Sequence, residues 1–332
     1  LLYPFARRSR AKVTAVDWML LGAGVVALAW PIVDFEQFVR RAATPTTLDL
    51  VLGVVTIGLV LEATRRTVGW ILPVTAMAFL VYGYLGPLLG LVGLDLFAHR
   101  GYSIDRLVGT LYMTLEGIFG VPLDVAATYI VLFTIYGAIL QHSGAGQFFI
   151  NWAMAAMGRS GGGSGPGRTI TLSGFLLGTV SGSGVATTVT LGAVAWPLLR
   201  RSGYPPEVGA AILSAAGIGA IMAPPTLGAA AFLIAEFLKI SYLQVILMAI
   251  VPAMLYYFSI LLMIEADSRR MGARTVEVDL PSLGALTRRS GYHFASLLVI
   301  IVLLVNGMTP FRAVFSAMVV AVALSFLRRE DA

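Results

Sequence analysis

Residues 169–237 form an apolar stretch that is interrupted twice by helix-breaking residues, and this pattern limits the possible folds of the chain more than any other. The first interruption is the Ser-Gly-Ser-Gly run at 181–184, and the second is the Ala-Pro-Pro-Thr run at 223–226. Lipid offers no hydrogen-bond partners, so backbone that leaves the helical pattern inside a membrane must be buried in protein or face a polar cavity. The two neighbouring interruptions therefore predict a binding site within the membrane.

Composition is typical of a multi-pass membrane protein. Hydrophobic residues make up 58% of the 332 residues, and charged residues only 12%, against roughly 25% in soluble domains. Because a spanning helix needs about 20 apolar residues, the sequence predicts an all-α polytopic fold with about seven continuous transmembrane helices. These spans lie near 17–34, 48–63, 69–89, 121–141, 242–264, 292–308 and 311–327.

Between the fourth and fifth spans, the interrupted stretch predicts a re-entrant helical hairpin at about 169–199, followed by a broken helix at about 206–238. The distribution of basic residues favours this topology, because Lys and Arg accumulate in cytoplasmic loops. A full crossing at 169–199 would move Arg200, Arg201 and the arginines of the 265–290 loop outside. With a hairpin entering from the cytoplasm, the only ones of the 23 basic residues outside are Arg40, Arg41, Arg100, Arg106, Lys239 and Arg312.

Small residues recur every four positions along both elements. The first hairpin arm has glycines at 174, 178 and 182, and the broken helix has small residues at 211, 215, 219 and 223. Such faces allow helix backbones to approach each other closely. Close packing alone explains these small residues, so they do not by themselves indicate a ligand.

Packing does not explain the hydroxyl groups near the first interruption, which belong to Ser181, Ser183, Thr187, Thr188 and Thr190. Hydroxyl oxygens, with carbonyls freed where helices unwind, can replace the water shell of a small cation such as sodium. Helix N-termini beside a break can bind an anionic group through free N–H donors. The alternative is that these hydroxyls bond only to carbonyls of their own helix.

The second interruption ends a helix, because proline donates no N–H and disfavours helical backbone in the preceding residue. Carbonyls before Ala223 are thereby freed as potential ligands. Thr226 is then expected at the N-cap of the second half, where its hydroxyl would cap Gly228 or Ala229.

Charged residues are sparse in the predicted spans. Glu62 lies one turn from Arg65 and Arg66, and Glu236 lies three residues before Lys239. Side chains three or four positions apart on a helix can pair. Both carboxylates are therefore expected to form ion pairs at helix ends.

No sequence feature indicates an enzyme. The chain has no cysteine and three widely separated histidines, which disfavours a metal centre. It has no Walker lysine loop, no G-x-S-x-G elbow and no H-E-x-x-H motif. The net charge of +6 fits cytoplasmic loops of a membrane protein, so no nucleic-acid partner is expected.

Six motifs together carry a family resemblance. Three are Gly-Thr-Val-Ser-Gly-Ser-Gly-Val-Ala at 178–186, Arg-Ser-Gly-Tyr-Pro-Pro-Glu at 201–207, and the run from Pro-Pro-Thr to Glu-Phe at 224–237. Support comes from Ala-His-Arg-Gly-Tyr at 98–102, Glu-Gly-Ile-Phe-Gly-Val-Pro at 116–122 and Ser-Gly-Ala-Gly at 143–146. The chain thus resembles, over nearly its whole length, the fused permease of tripartite ATP-independent periplasmic (TRAP) transporters, most closely the type served by TAXI binding proteins.

The resemblance implies a small membrane subunit at residues 1–97, without its first helix, fused to the first half of a large transport subunit at 98–332. It implies elevator-type uptake of an organic anion, driven by an ion gradient and supplied by a periplasmic solute-binding protein. The coupling ion would be sodium, with protons as the alternative, and no other cofactor is implied. The expected location is the cytoplasmic (inner) membrane of a bacterium or archaeon.

By match to the family, a sodium site lies between the hairpin tip and the broken helix. The chain departs from the family pattern at Thr187, where relatives often carry Asn, and at 217–221, where polar side chains are absent. Backbone carbonyls are therefore expected to be the main ligands from the broken helix. The residues predicted to bind ion or substrate are Ser181, Gly182, Ser183, Gly184, Thr187, Thr188, Gly217, Gly219, Pro224, Pro225 and Thr226, with Ser181, Ser183 and Gly219 as sodium ligands.

Two other functional classes stay open at this point. A channel would need a continuous polar pore, and the apolar flanks of both interruptions disfavour one. A membrane scaffold or assembly subunit would use the hydroxyls only to join helices. A scaffold has no reason to repeat the hairpin and the broken helix, whereas a transporter of this family does.

Overall fold

The computed structural model describes residues 14–33, 35–91, 93–158, 162–274 and 281–326, and every regular element within these ranges is a helix. The predicted all-α fold is confirmed for this part of the chain. Two compact units are present, Leu1–Asp124 and Val125–Ala332. The basic segment at 7–12, to which the sequence assigns a cytoplasmic position, lies outside the described residues. The subunit boundary at 97–98 stays a prediction.

The first unit is built around a buried tyrosine. The hydroxyl of Tyr112 donates to Ala27 O at 2.6 Å, and the ring of Phe38 packs edge-on against it at 5.4 Å. The fully buried Asp49 carboxylate accepts from Trp30 Nε1 and Arg41 Nε, both at 2.8 Å. The helices are α1 (Ala15–Val33), α2 (Phe35–Arg40), α3 (Thr47–Thr67), α4 (Ile71–Leu91) and α5 (Ile104–Met113).

The second unit contains the interrupted stretch. The long helix α6 (Val121–His142) begins four residues before this unit and includes a π-helical turn at Ala126–Ile130 within it. The remaining helices are α7 (Ala145–Met157), α8 (Gly165–Ser181), α9 (Gly184–Arg201), α10 (Pro206–Ile218), α11 (Ala229–Leu238), α12 (Tyr242–Met271), α13 (Leu283–Ser290), α14 (His293–Val305) and α15 (Pro310–Ser325).

Five helices are long and apolar enough to cross a membrane, namely α1, α3, α4, α6 and α12. They coincide with the first five of the seven predicted spans. The last two predicted spans form helices of 13 residues (α14) and 16 residues (α15), shorter than the about 20 residues that a span needs. Helix α14 follows α13 at a bend of 70°, and the two together are apolar enough for one further span.

The predicted hairpin is present as α8 and α9, which pack against each other and are joined by only two residues, Gly182 and Ser183. The glycines of α8 face the broken helix. A Cβ at Gly174 would lie 2.7 Å from Ala216 O, and one at Gly178 would lie 2.6 Å from Ala220 Cα. The hairpin therefore touches the broken helix backbone to backbone.

The broken helix packs through a different register from the predicted one. The sequence singled out the small residues at 211, 215, 219 and 223. The glycines of α8 meet Ala216, Ala220 and Ala223, so Ala223 is the one member of the predicted set in this contact. Ala216 lies in α10, one position after the predicted residue 215, and the spacing shortens to three residues between Ala220 and Ala223, where the 3-10 turn at Gly219–Met222 winds more tightly.

The break itself follows the prediction, but its cap does not. After the 3-10 turn, Ala223 is extended, and α11 begins only at Ala229 with Gly228 as its N-cap. Thr226 is therefore not the N-cap, which corrects the sequence-based expectation. The intervening Leu227 has a left-handed φ of 43°, and the Thr226 hydroxyl donates across to Gly178 O at 3.1 Å.

Replacing Gly178 by alanine is expected to destabilise the protein, because overpacking against Ala220 costs about 1–3 kcal/mol. The matched control is Gly192→Ala in α9, where no atom lies within 4 Å of an added Cβ. That change should stabilise by up to about 1 kcal/mol through higher helix propensity. The thermal unfolding midpoint of the purified protein in detergent measures both effects. Equal midpoints for the two variants would contradict the close approach.

Candidate functional site

A cavity of about 820 Å³ lies where the hairpin tip meets the broken helix. Most of its wall is apolar, and none of the described residues that line it carries a charge. The lining residues are Ile130, Phe133, Thr134, Ser181, Gly182, Ser183, Gly184, Val185, Thr188, Val189, Ser214, Ile218, Ile221, Leu227, Gly228, Ala229, Ala230 and Phe232.

The hairpin tip is shaped by Gly182. Helix α8 ends there because Gly182 adopts a left-handed φ of 56°, and its N–H donates to Gly178 O at 3.0 Å. A Cβ at this position would lie 2.3 Å from Leu227 O. Only glycine allows the tip to rest directly on the backbone of the break.

The hydroxyls of Ser181 and Thr187 join the two hairpin arms. Their oxygens are 2.7 Å apart, and Thr187 is only 1% exposed. The Ser183 N–H also donates to Ser181 Oγ at 3.2 Å. Ser181 is therefore the hydroxyl that ties the end of α8 to the beginning of α9.

The N-terminus of α9 opens into the cavity. Ser183 is its N-cap, is exposed, and accepts a hydrogen bond from Ala186 N at 3.4 Å. Gly184 begins the helix, and a Cβ there would lie 3.2 Å from Ile218 Cα. The first N–H groups of a helix lack intrahelical acceptors and carry partial positive charge. This end of the cavity can therefore attract an anion.

A second helix N-terminus reaches the same cavity. Gly228 caps α11, and it lines the cavity together with Ala229 and Ala230. Two helix dipoles thus present their positive ends to one space. The sequence predicted helix N-termini at both interruptions, but it placed the second at Thr226, whereas α11 begins at Ala229 with Gly228 as its N-cap.

The Thr188 hydroxyl bonds to a carbonyl of its own helix, as the alternative explanation of the hydroxyl groups predicts. Its Oγ1 donates to Gly184 O, four residues earlier, at 2.8 Å. The side chain lines the cavity and presses against Gly217, where an added Cβ would lie 1.8 Å from Thr188 Oγ1. Gly217 thus leaves room for Thr188 and does not itself line the cavity.

The remaining predicted residues lie around the break, outside the cavity wall. Gly219 packs against Tyr257, whose Oη would be 2.6 Å from an added Cβ. Pro224 lines a separate apolar cavity of about 450 Å³, and Pro225 O accepts from the Tyr242 hydroxyl at 3.0 Å. Of the three predicted sodium ligands, Ser181 and Ser183 line the main cavity, and Gly219 does not.

The sequence analysis missed the contribution of α6. Ile130, Phe133 and Thr134 line the cavity beside the π-helical turn. Thr134 Oγ1 donates back to Ile130 O at 2.7 Å. No local signal in this plain apolar span connects it with the hairpin, because the connection exists only through packing.

Gly182→Ala is expected to destabilise the protein more than Gly203→Ala. Both glycines have positive φ, 56° and 83°, so each alanine meets a left-handed strain of about 1–2 kcal/mol. At Gly203 no atom lies within 4 Å of an added Cβ, whereas at Gly182 the Leu227 carbonyl blocks it. Thermal unfolding of the two variants separates strain from steric exclusion. A Gly182→Ala midpoint equal to that of Gly203→Ala would contradict the contact between tip and break.

The sequence is similar to known membrane permeases. Residues 55–332 match the family model described as "Tripartite ATP-independent periplasmic transporter, DctM component". The "C4-dicarboxylate TRAP transporter large permease protein DctM" of Rhodobacter capsulatus is 31% identical over 132 residues, which are 40% of this chain and 28% of that protein. The "2,3-diketo-L-gulonate TRAP transporter large permease protein YiaN" of Escherichia coli (strain K12) is 28% identical over 126 residues, 38% of this chain and 29% of that protein.

A third relative is a "Putative TRAP transporter large permease protein" of Haemophilus influenzae, which is 33% identical over 98 residues, 30% of this chain and 24% of that protein. The chain spans less than a third of the length of these curated relatives. The family model, in contrast, covers most of the chain, from residue 55 to its last residue. The chain therefore belongs to the family of the DctM component, the large permease, of tripartite ATP-independent periplasmic transporters.

Proposed function

We propose that this chain is a permease component of an ion-gradient-driven uptake system for organic acids. The observation that carries the proposal is the convergence of two helix N-termini, those of α9 and α11, on one cavity whose described lining has no charged side chain. A carboxylate is attracted there by free N–H groups and two helix dipoles. The names of two relatives, a C4-dicarboxylate permease and a 2,3-diketo-L-gulonate permease, are consistent with such a substrate.

Sodium is the proposed coupling ion. The hydroxyls of Ser181 and Ser183 line the cavity at the hairpin tip, and neutral oxygens of this kind suit a small hard cation. A bound cation would also offset the charge of a carboxylate in the same cavity. No charged side chain lines the described part of the wall. Sodium coupling, unlike proton coupling, does not need a proton-carrying carboxylate there.

The proposed movement is of the elevator type. Hairpin and broken helix meet backbone to backbone at Gly174, Gly178 and Gly182, so they are suited to move as one body. The proposed partner is a periplasmic solute-binding protein of the TAXI type, and the proposed location is the inner membrane of a bacterium or archaeon. Residues 1–97 are proposed to act as a fused small subunit.

Uptake of radiolabelled dicarboxylates and keto acids into proteoliposomes tests the function, with the binding protein supplied and with sodium and pH gradients varied separately. Uptake is expected to require the binding protein and an inward sodium gradient. Ser181→Ala and Ser183→Ala should each raise the half-saturating sodium concentration by about tenfold, the equivalent of one lost ligand of about 1.4 kcal/mol. Ser325→Ala is the control and should match the parent, because the Ser325 hydroxyl donates back to Val322 O of its own helix.

Each other outcome identifies a different function. Uptake driven by a pH gradient alone would show that protons, and not sodium, are the coupling ion. Equilibration without any gradient would indicate a channel, and no uptake under any gradient would favour a scaffold. Unchanged sodium dependence in both serine variants would contradict the ion site at the hairpin tip.

A further inference from the structure

Tyr242, at the beginning of α12, satisfies backbone carbonyls of the break. Its side chain is 4% exposed, and its hydroxyl lies 2.7 Å from Thr226 O and 3.0 Å from Pro225 O. A tyrosine hydroxyl has one hydrogen to donate, so the two carbonyls share it. Both carbonyls lie between the 3-10 turn and α11, where no helical partner is available.

The Tyr242 ring is held in place by an aromatic stack. It lies nearly parallel to Phe232 of α11, with ring centroids 4.5 Å apart and an angle of 12° between the planes. Phe232 in turn stacks on Tyr129, in the π-helical turn of α6, at 5.3 Å and 4°. Since Phe232 lines the cavity, the stack connects the cavity wall with the tyrosine that holds the break.

Two hydrogen bonds lead from Tyr242 to the hairpin tip. The first joins Tyr242 to the carbonyl of Thr226, and the second joins the Thr226 hydroxyl to Gly178 O at 3.1 Å. The same Gly178 carbonyl accepts the N–H of Gly182, which shapes the tip. Tyr242 therefore orients a residue of the break that is hydrogen-bonded to the last turn of α8, next to the tip.

We propose that Tyr242 is a positioning residue for the cavity. Its hydroxyl holds the Thr226 peptide, and through Thr226 it sets the placement of the hairpin tip against the broken helix. It does not line the cavity itself. The test by sodium-dependent uptake rests on the proposed function, and the test by cysteine labelling rests on these contacts alone.

The test variant is Tyr242→Phe, which keeps the aromatic stack and removes only the donor. The matched control is Tyr204→Phe. Tyr204 is equally buried, at 5% exposure, and its hydroxyl donates to Gly163 O at 3.1 Å, outside the cavity lining. Burial raises the pKa of Tyr204 to about 12, so its hydroxyl is a neutral donor at neutral pH. Each change thus removes one buried tyrosine hydroxyl bonded to backbone.

The conformational readout is cysteine labelling. These 332 residues contain no cysteine, so Leu227→Cys places one thiol among them, at the contact between the break and the tip. Leu227 is 4% exposed and lines the cavity, and a Cβ at Gly182 would lie 2.3 Å from its carbonyl oxygen, so its side chain becomes accessible when tip and break separate. In the full-length permease, with any cysteine outside these residues replaced by serine, Tyr242→Phe is expected to raise the maleimide labelling rate by about fivefold, the equivalent of one hydrogen bond. Tyr204→Phe should leave the rate unchanged.

The transport readout is the half-saturating sodium concentration for uptake. Tyr242→Phe should raise it by about fivefold, while the rate at saturating sodium stays near that of the parent. If the parent does not transport, the proposed function fails, and the labelling experiment still tests the positioning role. If Tyr242→Phe equals the parent in labelling and in sodium dependence, the positioning role is overturned.

Thr226→Val provides a second route, which also serves if Tyr242→Phe does not fold. It removes the other hydroxyl of the same path and should also raise labelling at residue 227. The double variant should add little to either single change, because both interrupt one connection. Fully additive effects would show that the two hydroxyls act independently and would overturn the inference.

Discussion

The fold of the second unit depends on hydrogen-bond partners for the backbone N–H and C=O groups of the broken helix. Where α10 ends, backbone leaves the helical pattern in surroundings that offer few alternatives. Local bonds satisfy part of this need, since Gly228 N–H donates to Ile221 O at 2.7 Å. Other elements supply further bonds. Tyr242 of α12 donates to the Thr226 carbonyl, and the Thr226 hydroxyl donates to Gly178 O of α8. The break is thus held from both sides.

The second constraint is the distance between backbones. Glycine at 174, 178 and 182 brings α8 so close to the broken helix that an added methyl group would meet backbone or Cβ atoms. Interiors of this density do not deform smoothly. The hairpin tip and the break therefore form one packed element, and the cavity lies along its edge, with the N-termini of α9 and α11 directed into it.

Ion pairs show where sequence reasoning succeeds and where it stops. The pairs of Glu62 with Arg65 and of Glu236 with Lys239 are both present, at 2.6 Å and 3.5 Å, as helical spacing predicts. The additional bond from Arg66 to Asp17 at 2.6 Å was not predicted, because it joins residues 49 positions apart. The same applies to Arg168 and Glu265, 97 positions apart, which connect α8 to α12.

Hydropathy, proline and glycine predict the all-helical class, five candidate spans, the hairpin and the break, because each of these properties acts on neighbouring residues. Three-dimensional packing alone shows that Thr226 bonds to Gly178 instead of capping α11, that Gly219 faces Tyr257 instead of the cavity, and that Tyr242 donates to the break. A hydroxyl donates to, and a freed carbonyl accepts from, whichever partner lies within about 3 Å. The identity of that partner depends on how helices distant in sequence pack together. No local sequence pattern encodes this packing.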